Sequence, residues 1–157
     1  MESCVFRDIF PHIGLDNSLF SLKTLSTNYA AFPIELRSQK PEVSAGLLPA
    51  QTAKTATLGD YVAYQLSFGE AKETVDFAVN IDICSFSSQK LQLCCLPQEL
   101  LWRSPCDCLR LLPQEISGVT APQMYLKVKG CYTGGHEENL RVQTVNINHG
   151  SYSSSSL

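Results

Sequence analysis

Cysteine is the residue type in this 157-residue chain with the most distinctive chemistry, and there are seven of them. Cys94 and Cys95 are adjacent, and Cys106 and Cys108 are separated by one residue. Structural zinc usually takes its four ligands from two Cys-x2-Cys knuckles, and neither pair has that spacing. Adjacent residues on a strand point to opposite faces, so Cys94 and Cys95 are not expected to ligate one ion. We therefore predict no metal or cofactor, and expect small apolar thiols packed in a core.

A nucleophilic thiol is the other chemistry that cysteine offers. Cys106 is the thiol expected at the surface, but the adjacent Asp107 raises the pKa of a thiol rather than lowering it. Cys131 and His136 flank one predicted turn, where a histidine is usually solvated. The nucleophile-elbow, P-loop and dinucleotide-binding motifs are absent from the sequence. We predict no catalytic residues and no enzymatic activity, with a thiol-dependent enzyme as the less favoured alternative.

Aromatic side chains are the third group with binding potential. They cluster in and beside a predicted hairpin: Tyr61, Tyr64, Phe68, Phe77 and Phe86. Strand parity assigns Tyr64, Phe68 and Phe77 to the core, which leaves Tyr61 and Phe86 as exposed rings. Exposed rings at the rim of a small barrel bind cations through their faces. Together with the single tryptophan, Trp102, these two rings are the predicted binding residues.

Strands must position these side chains. Apolar residues alternate strictly from Val75 to Ile83 and predict a half-buried strand over residues 74–84. A similar alternation predicts a strand over 61–68 and thus a hairpin. The further predicted elements are a strand at 91–95, a short helix at 97–103, a short strand at 109–111 and a second hairpin within 126–144. Together, these predicted strands and helices indicate a mainly β protein: an antiparallel β-barrel or β-sandwich with one or two short helices.

The chain divides into four predicted parts. They are an N-terminal segment packing on the core (1–40), a connector rich in small residues (41–58), a β-rich core domain (59–147) and a disordered Ser-rich tail (148–157). In the first part, leucines at helical spacing predict a short helix. Asp16 or Asn17 is its expected cap, and Pro33 ends it.

Composition excludes several classes of function. The formal net charge is -3, so a phosphate-binding surface for nucleic acid is not expected. No apolar run approaches the roughly 20 residues of a transmembrane helix. The first ten residues lack the apolar region of a secretory signal, so reduced thiols in the cytoplasm or nucleus are expected. Charged residues are only 17% of the chain, against about 25% on average, which leaves more neutral surface for a partner.

The stretch Val79–Val119 resembles the part of an extended Tudor domain where the Tudor barrel passes into its staphylococcal-nuclease-like half. Ile81 and Asp82 match a strand end of that family, and residues 96–101, Leu-Pro-Gln-Glu-Leu-Leu, match its Leu-Pro-x-Glu segment. Residues 83–85 replace the family's aromatic, glycine and asparagine, and a Trp-Tyr-Arg-Ala-like strand is missing. The resemblance implies a Tudor-like domain without the methylarginine cage, used for protein contacts.

These observations lead to one functional prediction and to one alternative besides the thiol-dependent enzyme. The prediction is a non-enzymatic intracellular module that binds another protein through an exposed strand edge, such as 61–68, or through an aromatic surface. The alternative is a virion or assembly component with a jelly-roll-like sandwich, which an N-terminal arm, a connector and a Ser-rich tail would suit.

Overall fold

The structure is a computed structural model that describes residues 17–41, 53–67, 73–101, 104–105, 108–116, 118–133, 136–141, 144 and 146. Its strands are β1 (Pro33–Gln39), β2 (Lys54–Thr57), β3 (Val75–Asp82) and β4 (Gln123–Leu126), and its helices are α1 (Leu22–Tyr29), α2 (Leu58–Leu66) and α3 (Ser87–Gln92). Short 3-10 turns join them, including Ile83–Ser85 and Leu93–Cys95. Within these ranges, no helix has the length and apolar character needed to cross a membrane.

The four strands form one antiparallel sheet in the order β2-β1-β3-β4. One row of paired residues crosses it from Lys54 through Leu36 and Ala78 to Leu126. The predicted antiparallel sheet is therefore present, but three helices accompany it rather than the predicted one or two, so the described residues are not mainly β. Because β2 and β4 lie at opposite edges and do not pair, the sheet is open and does not close into a barrel.

One face of this sheet packs on the helices and forms the core. Buried residues alternate over the first five residues of β1, where Ile34 and Leu36 are buried and Pro33 and Arg37 are exposed. This period of two is expected for a strand with one covered face. The core cluster consists of Leu25, Ile34, Leu36, Leu58, Tyr61, Ala78, Ile81, Phe86, Met124 and Leu126.

Strand β3 is found where the alternation predicts it, but its faces differ from the prediction. The pairing of β3 with β4 is irregular between Ala78 and Ile81, and Asn80 in this interval has a φ of 55°. Asparagine tolerates this left-handed conformation better than most residues. The irregularity places Ile81 in the same core cluster as Ala78, whereas the prediction put them on opposite faces.

The predicted strand 61–68 is wrong: residues 58–66 form helix α2. Its buried residues are Leu58, Tyr61, Val62 and Gln65, and these spacings of three, one and three define one face of a helix. Thr57 caps this helix. The Thr57 hydroxyl accepts from the Asp60 N–H at 3.1 Å, and the Asp60 carboxylate accepts from the Thr57 N–H at 3.2 Å. This capping box satisfies two backbone donors and starts the helix after β2.

Residues before Pro33 form α1, as the leucine spacing predicts, but the predicted cap is wrong. Ser21 is the N-cap, and its hydroxyl accepts from the Thr24 N–H at 3.2 Å. The helix ends at Tyr29, ahead of Pro33. Its last turn lies against α2, because the Gly59 N–H donates to the Ala30 carbonyl oxygen at 2.9 Å.

Several other predicted elements differ in type. The predicted connector 41–58 contains strand β2. The predicted strand at 91–95 is the end of α3 followed by a 3-10 turn, and the predicted strand at 109–111 lies in the 3-10 turn Cys108–Leu111. Of the predicted helix at 97–103, the described part contains the 3-10 turn Gln98–Leu100, and residues 102–103 lie outside the described residues. In the second predicted hairpin, β4 is present, but its expected partner begins as the 3-10 turn Asn139–Arg141.

Candidate binding surface

Of the predicted binding residues, Tyr61 and Phe86 are buried in the core. Tyr61 is 1% exposed and Phe86 is 0% exposed, so the predicted exposure of both rings is wrong. Tyr61 faces the sheet because residue 61 lies on a helix, where inward positions follow a period near 3.6 rather than two. The third residue, Trp102, lies outside the described residues, as does the predicted Ser-rich tail.

Phe86 anchors an aromatic group beneath the sheet. Its ring meets Tyr29 edge to face, with ring centroids 4.6 Å apart, and Phe32 at 4.7 Å. Both distances lie in the range where aromatic pairs attract beyond their area burial. The group joins α1, β1 and the start of α3, so Phe86 has a packing role.

The exposed large hydrophobic residues lie elsewhere. Within the described ranges, the exposed aromatic members are Tyr125 and Tyr132, about half exposed at 49% and 50%. The Tyr125 hydroxyl donates to Gln123 Oε1 at 3.1 Å. Partial burial raises the pKa of Tyr125, with a contribution from Glu138 nearby. Among the described residues, an aromatic surface for a partner would therefore use Tyr125 and Tyr132 rather than Tyr61 and Phe86.

Strand β2 presents an outer edge, and its register shows which backbone groups point outward. The Leu58 N–H donates to the Phe32 carbonyl oxygen at 2.9 Å, one step beyond the Pro33–Thr57 pair. Hydrogen-bonded and non-hydrogen-bonded pairs alternate in an antiparallel ladder. The Glu35–Thr55 pair is therefore of the non-hydrogen-bonded kind, and Thr55 directs its backbone N–H and C=O away from β1. No described strand pairs with this edge.

The neighbouring outward group of β2 is already used within the chain. The Thr57 N–H also points away from β1 by the same alternation, and it donates to the Asp60 carboxylate. Thr55 has an exposed side chain. The open part of the edge is thus centred on Thr55.

A polar cluster lies beside this edge and consists of Ser38, Lys54 and Asp76. Ser38 Oγ donates to Asp76 Oδ1, and Lys54 Nζ donates to Ser38 Oγ at 2.9 Å and to Asp76 Oδ1 at 3.4 Å. The Lys54 side chain is 58% exposed and the Asp76 side chain 26%. A charge on an edge strand opposes uncontrolled pairing with other chains, and Lys54 has this position.

This cluster is not arranged for nucleophilic catalysis. A lysine activates a serine only as a neutral amine that accepts the hydroxyl proton. Lys54 instead donates to both oxygen atoms and is ion-paired with Asp76. The nearby Tyr64 hydroxyl accepts from the Asp76 N–H at 3.0 Å. Desolvation raises the pKa of Tyr64, this hydrogen bond opposes the rise, and the charge of the Asp76 carboxylate adds to it. The cluster holds β1, β2 and β3 together.

The other edge of the sheet, β4, is tied to α2. The Tyr61 hydroxyl donates to the Leu126 carbonyl oxygen at 2.8 Å, and Gln65 Nε2 donates to the Lys127 carbonyl oxygen at 2.9 Å. Both tyrosine and glutamine are almost fully buried. The two edges of the sheet therefore differ: the end of β4 is hydrogen-bonded to helix α2, whereas Thr55 of β2 directs its backbone groups outward.

The five described cysteines do not lie in the core as predicted. Cys94, Cys95 and Cys108 are exposed, and Cys84 and Cys131 are partly buried. Desolvation raises the pKa of both partly buried thiols, and the Asp82 carboxylate adds to the shift at Cys84. Cys106 lies outside the described residues. No group of three or more His, Cys, Asp or Glu side chains suited to a metal ion occurs in the described ranges.

The sequence prediction misses Thr55 and the edge strand because small residues, two prolines and three threonines over 41–58 indicate a connector. Two signals were available. Thr55 and Thr57 are β-branched residues at a spacing of two, which favours a strand. Thr57 and Asp60 also have the Thr-x-x-Asp spacing that typically precedes a helix, and this signal distinguishes α2 from a strand.

No family model matches the chain. Among curated proteins, human lysine-specific demethylase 6B is similar to it, with 26% identity over 191 aligned residues. The alignment covers 93% of this chain but 12% of the demethylase, so the chain spans a small part of that protein's length. This similarity is distant, and it does not assign the chain to a family.

Proposed function

We propose that this chain is a non-enzymatic protein-interaction module that binds an extended segment of another protein along the outer edge of β2. The observation that carries this proposal is the outward direction of the Thr55 backbone N–H and C=O. A partner strand would accept from this N–H and donate to this C=O, which is the hydrogen bonding of β-strand addition.

The composition of β2 supports this use of the edge. Its residues Lys-Thr-Ala-Thr are mostly small or β-branched, and a partner strand can approach them closely. The ion pair of Lys54 with Asp76 holds the lysine side chain toward β1 and β3 rather than over the edge. The edge is therefore accessible, while the charge still disfavours indiscriminate pairing.

Three further interpretations belong with this proposal. A Tudor-like domain without a cage would be one form of such a module, and its expected binding residues are not the ones used here. A β-sandwich would need a second sheet, and the proposal does not require one. An assembly component would pair the same edge with another copy of the chain. The demethylase similarity covers too little of that protein to supply an activity.

The test compares two substitutions at one position. Thr55→Pro removes the outward N–H, and proline is tolerated at an edge position whose N–H does not bond to the sheet. Thr55→Val keeps the N–H and the β-branched shape. Both variants and the wild type, tagged and reduced, are used for affinity capture from lysate, with partners quantified by mass spectrometry.

Partners captured by the wild type and Thr55→Val, but lost with Thr55→Pro, are the expected result. Urea unfolding of each variant establishes that the fold is retained. Equal capture by all three proteins would contradict binding at this edge. Light scattering tests whether the β2 edge instead binds a second copy of the chain. Self-pairing would double the molar mass of the wild type as its concentration rises, and Thr55→Pro would remain a monomer.

A further inference from the structure

The adjacent thiols Cys94 and Cys95 lie in a 3-10 turn rather than on a strand. On a strand, their side chains would point to opposite faces. A 3-10 helix has three residues per turn, so successive side chains are separated by about 120° around its axis. Both cysteines are exposed. The two side chains are therefore not directed to opposite faces, and both thiols are accessible to one bridging atom.

These thiols are poorly placed to bond directly to each other. Consecutive Cα atoms across a trans peptide are about 3.8 Å apart. Disulfides usually join Cα atoms about 4.4–6.8 Å apart, and departures from that range store strain. A third atom placed between the two sulfur atoms removes the distance requirement of a direct S–S bond, because each sulfur atom then bonds to the bridging atom. The pair is better suited to bridging than to oxidation.

The number of thiolates available, two, indicates which atom could bridge them. Zinc in structural sites takes four ligands, and the described residues offer no group of three ligating side chains. A trivalent arsenical that carries one organic group needs only two thiolates. Leu91, which is 69% exposed, precedes Cys94 by three residues, a spacing that brings helical side chains together. Its side chain offers an apolar contact for that organic group.

We propose that Cys94 and Cys95 form a two-thiol binding site for trivalent organoarsenicals. In the reaction with phenylarsine oxide, two As–S bonds form, two S–H bonds break, and the arsenic-bound oxygen leaves with both protons as water. Arsenic remains trivalent and both sulfur atoms remain unoxidised, so the step needs no oxidant or reductant.

The test uses the full chain, reduced and freed of reductant, with phenylarsine oxide as the probe. Intact mass spectrometry measures the adduct after a wash with excess 2-mercaptoethanol and again after 1,2-ethanedithiol. The wild type is expected to retain one adduct through the monothiol wash and to lose it to the dithiol. Cys94→Ser and Cys95→Ser are each expected to bind about a hundredfold more weakly, because the second bond gains from a high effective concentration.

Cys108→Ser is the matched control, since it removes another exposed thiol and tests the Cys106–Cys108 pair. It is expected to keep the monothiol-resistant adduct. Retention of the adduct in both Cys94→Ser and Cys95→Ser would overturn the proposal, as would its loss in Cys108→Ser. Absence of a monothiol-resistant adduct in the wild type would overturn it as well. Circular dichroism of each variant confirms that the fold is unchanged.

Discussion

The hydroxyl of Tyr61 donates a hydrogen bond to the carbonyl oxygen of Leu126 at 2.8 Å, across 65 residues of sequence. The same hydroxyl lies 3.2 Å from the Asp76 carbonyl oxygen. One side chain of α2 thus contacts backbone oxygen atoms of both β3 and β4. This relationship fixes where the helix lies on the sheet.

Substitution of Tyr61 by phenylalanine should lower the free energy of unfolding by about 1–3 kcal/mol. The ring stays in the core, but the buried carbonyl oxygen of Leu126 loses a donor, and an unsatisfied buried acceptor has a cost of this order. Urea unfolding measures the change. Tyr125→Phe, which removes an exposed hydroxyl, should change stability by less than about 0.5 kcal/mol. Equal effects of the two variants would contradict this role.

Phe86→Ala should destabilise the protein by about 3–5 kcal/mol, because it empties a fully buried aromatic position. Phe86→Leu fills part of the volume of the phenylalanine ring and should be more stable than Phe86→Ala. It replaces the alanine variant in the measurement if that variant does not fold. The exposed Leu91→Ala is the control, with an expected change below about 0.5 kcal/mol. Thermal or urea unfolding compares them. A surface role for Phe86 would instead leave stability unchanged and alter binding.

Thr57→Ala should cost about 1 kcal/mol, because the capping hydroxyl of α2 is lost. Thr57→Ser keeps an oxygen at the same position and should be close to the wild type. The measurement is the free energy of unfolding in urea for the three proteins. An alanine variant as stable as the serine variant would show that the cap contributes nothing.

The Asp60 carboxylate gives this cap a pH dependence. Hydrogen bonds from the Thr57 side chain and backbone lower the pKa of Asp60 below its ordinary value of 3.8. The stabilisation is therefore complete above pH 3.8 and is lost as the pH falls through the lower pKa of the folded state. Wild type should exceed Asp60→Asn in stability near neutral pH, and the difference should shrink on acidification. A difference that is independent of pH would contradict this assignment.

The five described cysteines should differ in their rates of alkylation. Burial raises the pKa of Cys84 and Cys131, which lowers the fraction of reactive thiolate near neutral pH. These two should react with iodoacetamide more slowly than the exposed Cys94, and their rates should continue to rise at higher pH. Peptide mapping after timed labelling measures each site. Rapid labelling of Cys131 at neutral pH would favour the thiol-dependent enzyme instead.

Local sequence pattern was enough to predict β3, because strict alternation from Val75 has one simple structural solution. It was also enough to predict α1, which ends before Pro33. The irregularity at Asn80 was not predictable, because it depends on how β3 pairs with β4. The irregularity places Ile81 in the same core cluster as Ala78. Both faces of β3 already contain buried residues before it, since Phe77, Ala78 and Val79 are all buried.

The short apolar run at 58–66 shows where sequence alone reached its limit. The apolar residues of this run fit both the period of two of a strand and the period of 3.6 of a helix. A nine-residue segment is too short for the pattern alone to distinguish the two structures. The Thr57–Asp60 cap distinguishes them locally. The consequence for the binding prediction was large, since the helix turns Tyr61 into the core.

The low charge density follows from composition, and the alternation of β3 and the adjacency of Cys94 and Cys95 follow from the local order of residues. Which strand lies at an edge depends instead on the pairing of segments far apart in the chain, so it follows only from the folded arrangement. That arrangement places Thr55 of β2 at that edge and Tyr61 between α2 and the sheet. Contacts over 38 to 65 residues, such as Ser38 with Asp76 and Tyr61 with Leu126, leave no periodic signal in the sequence.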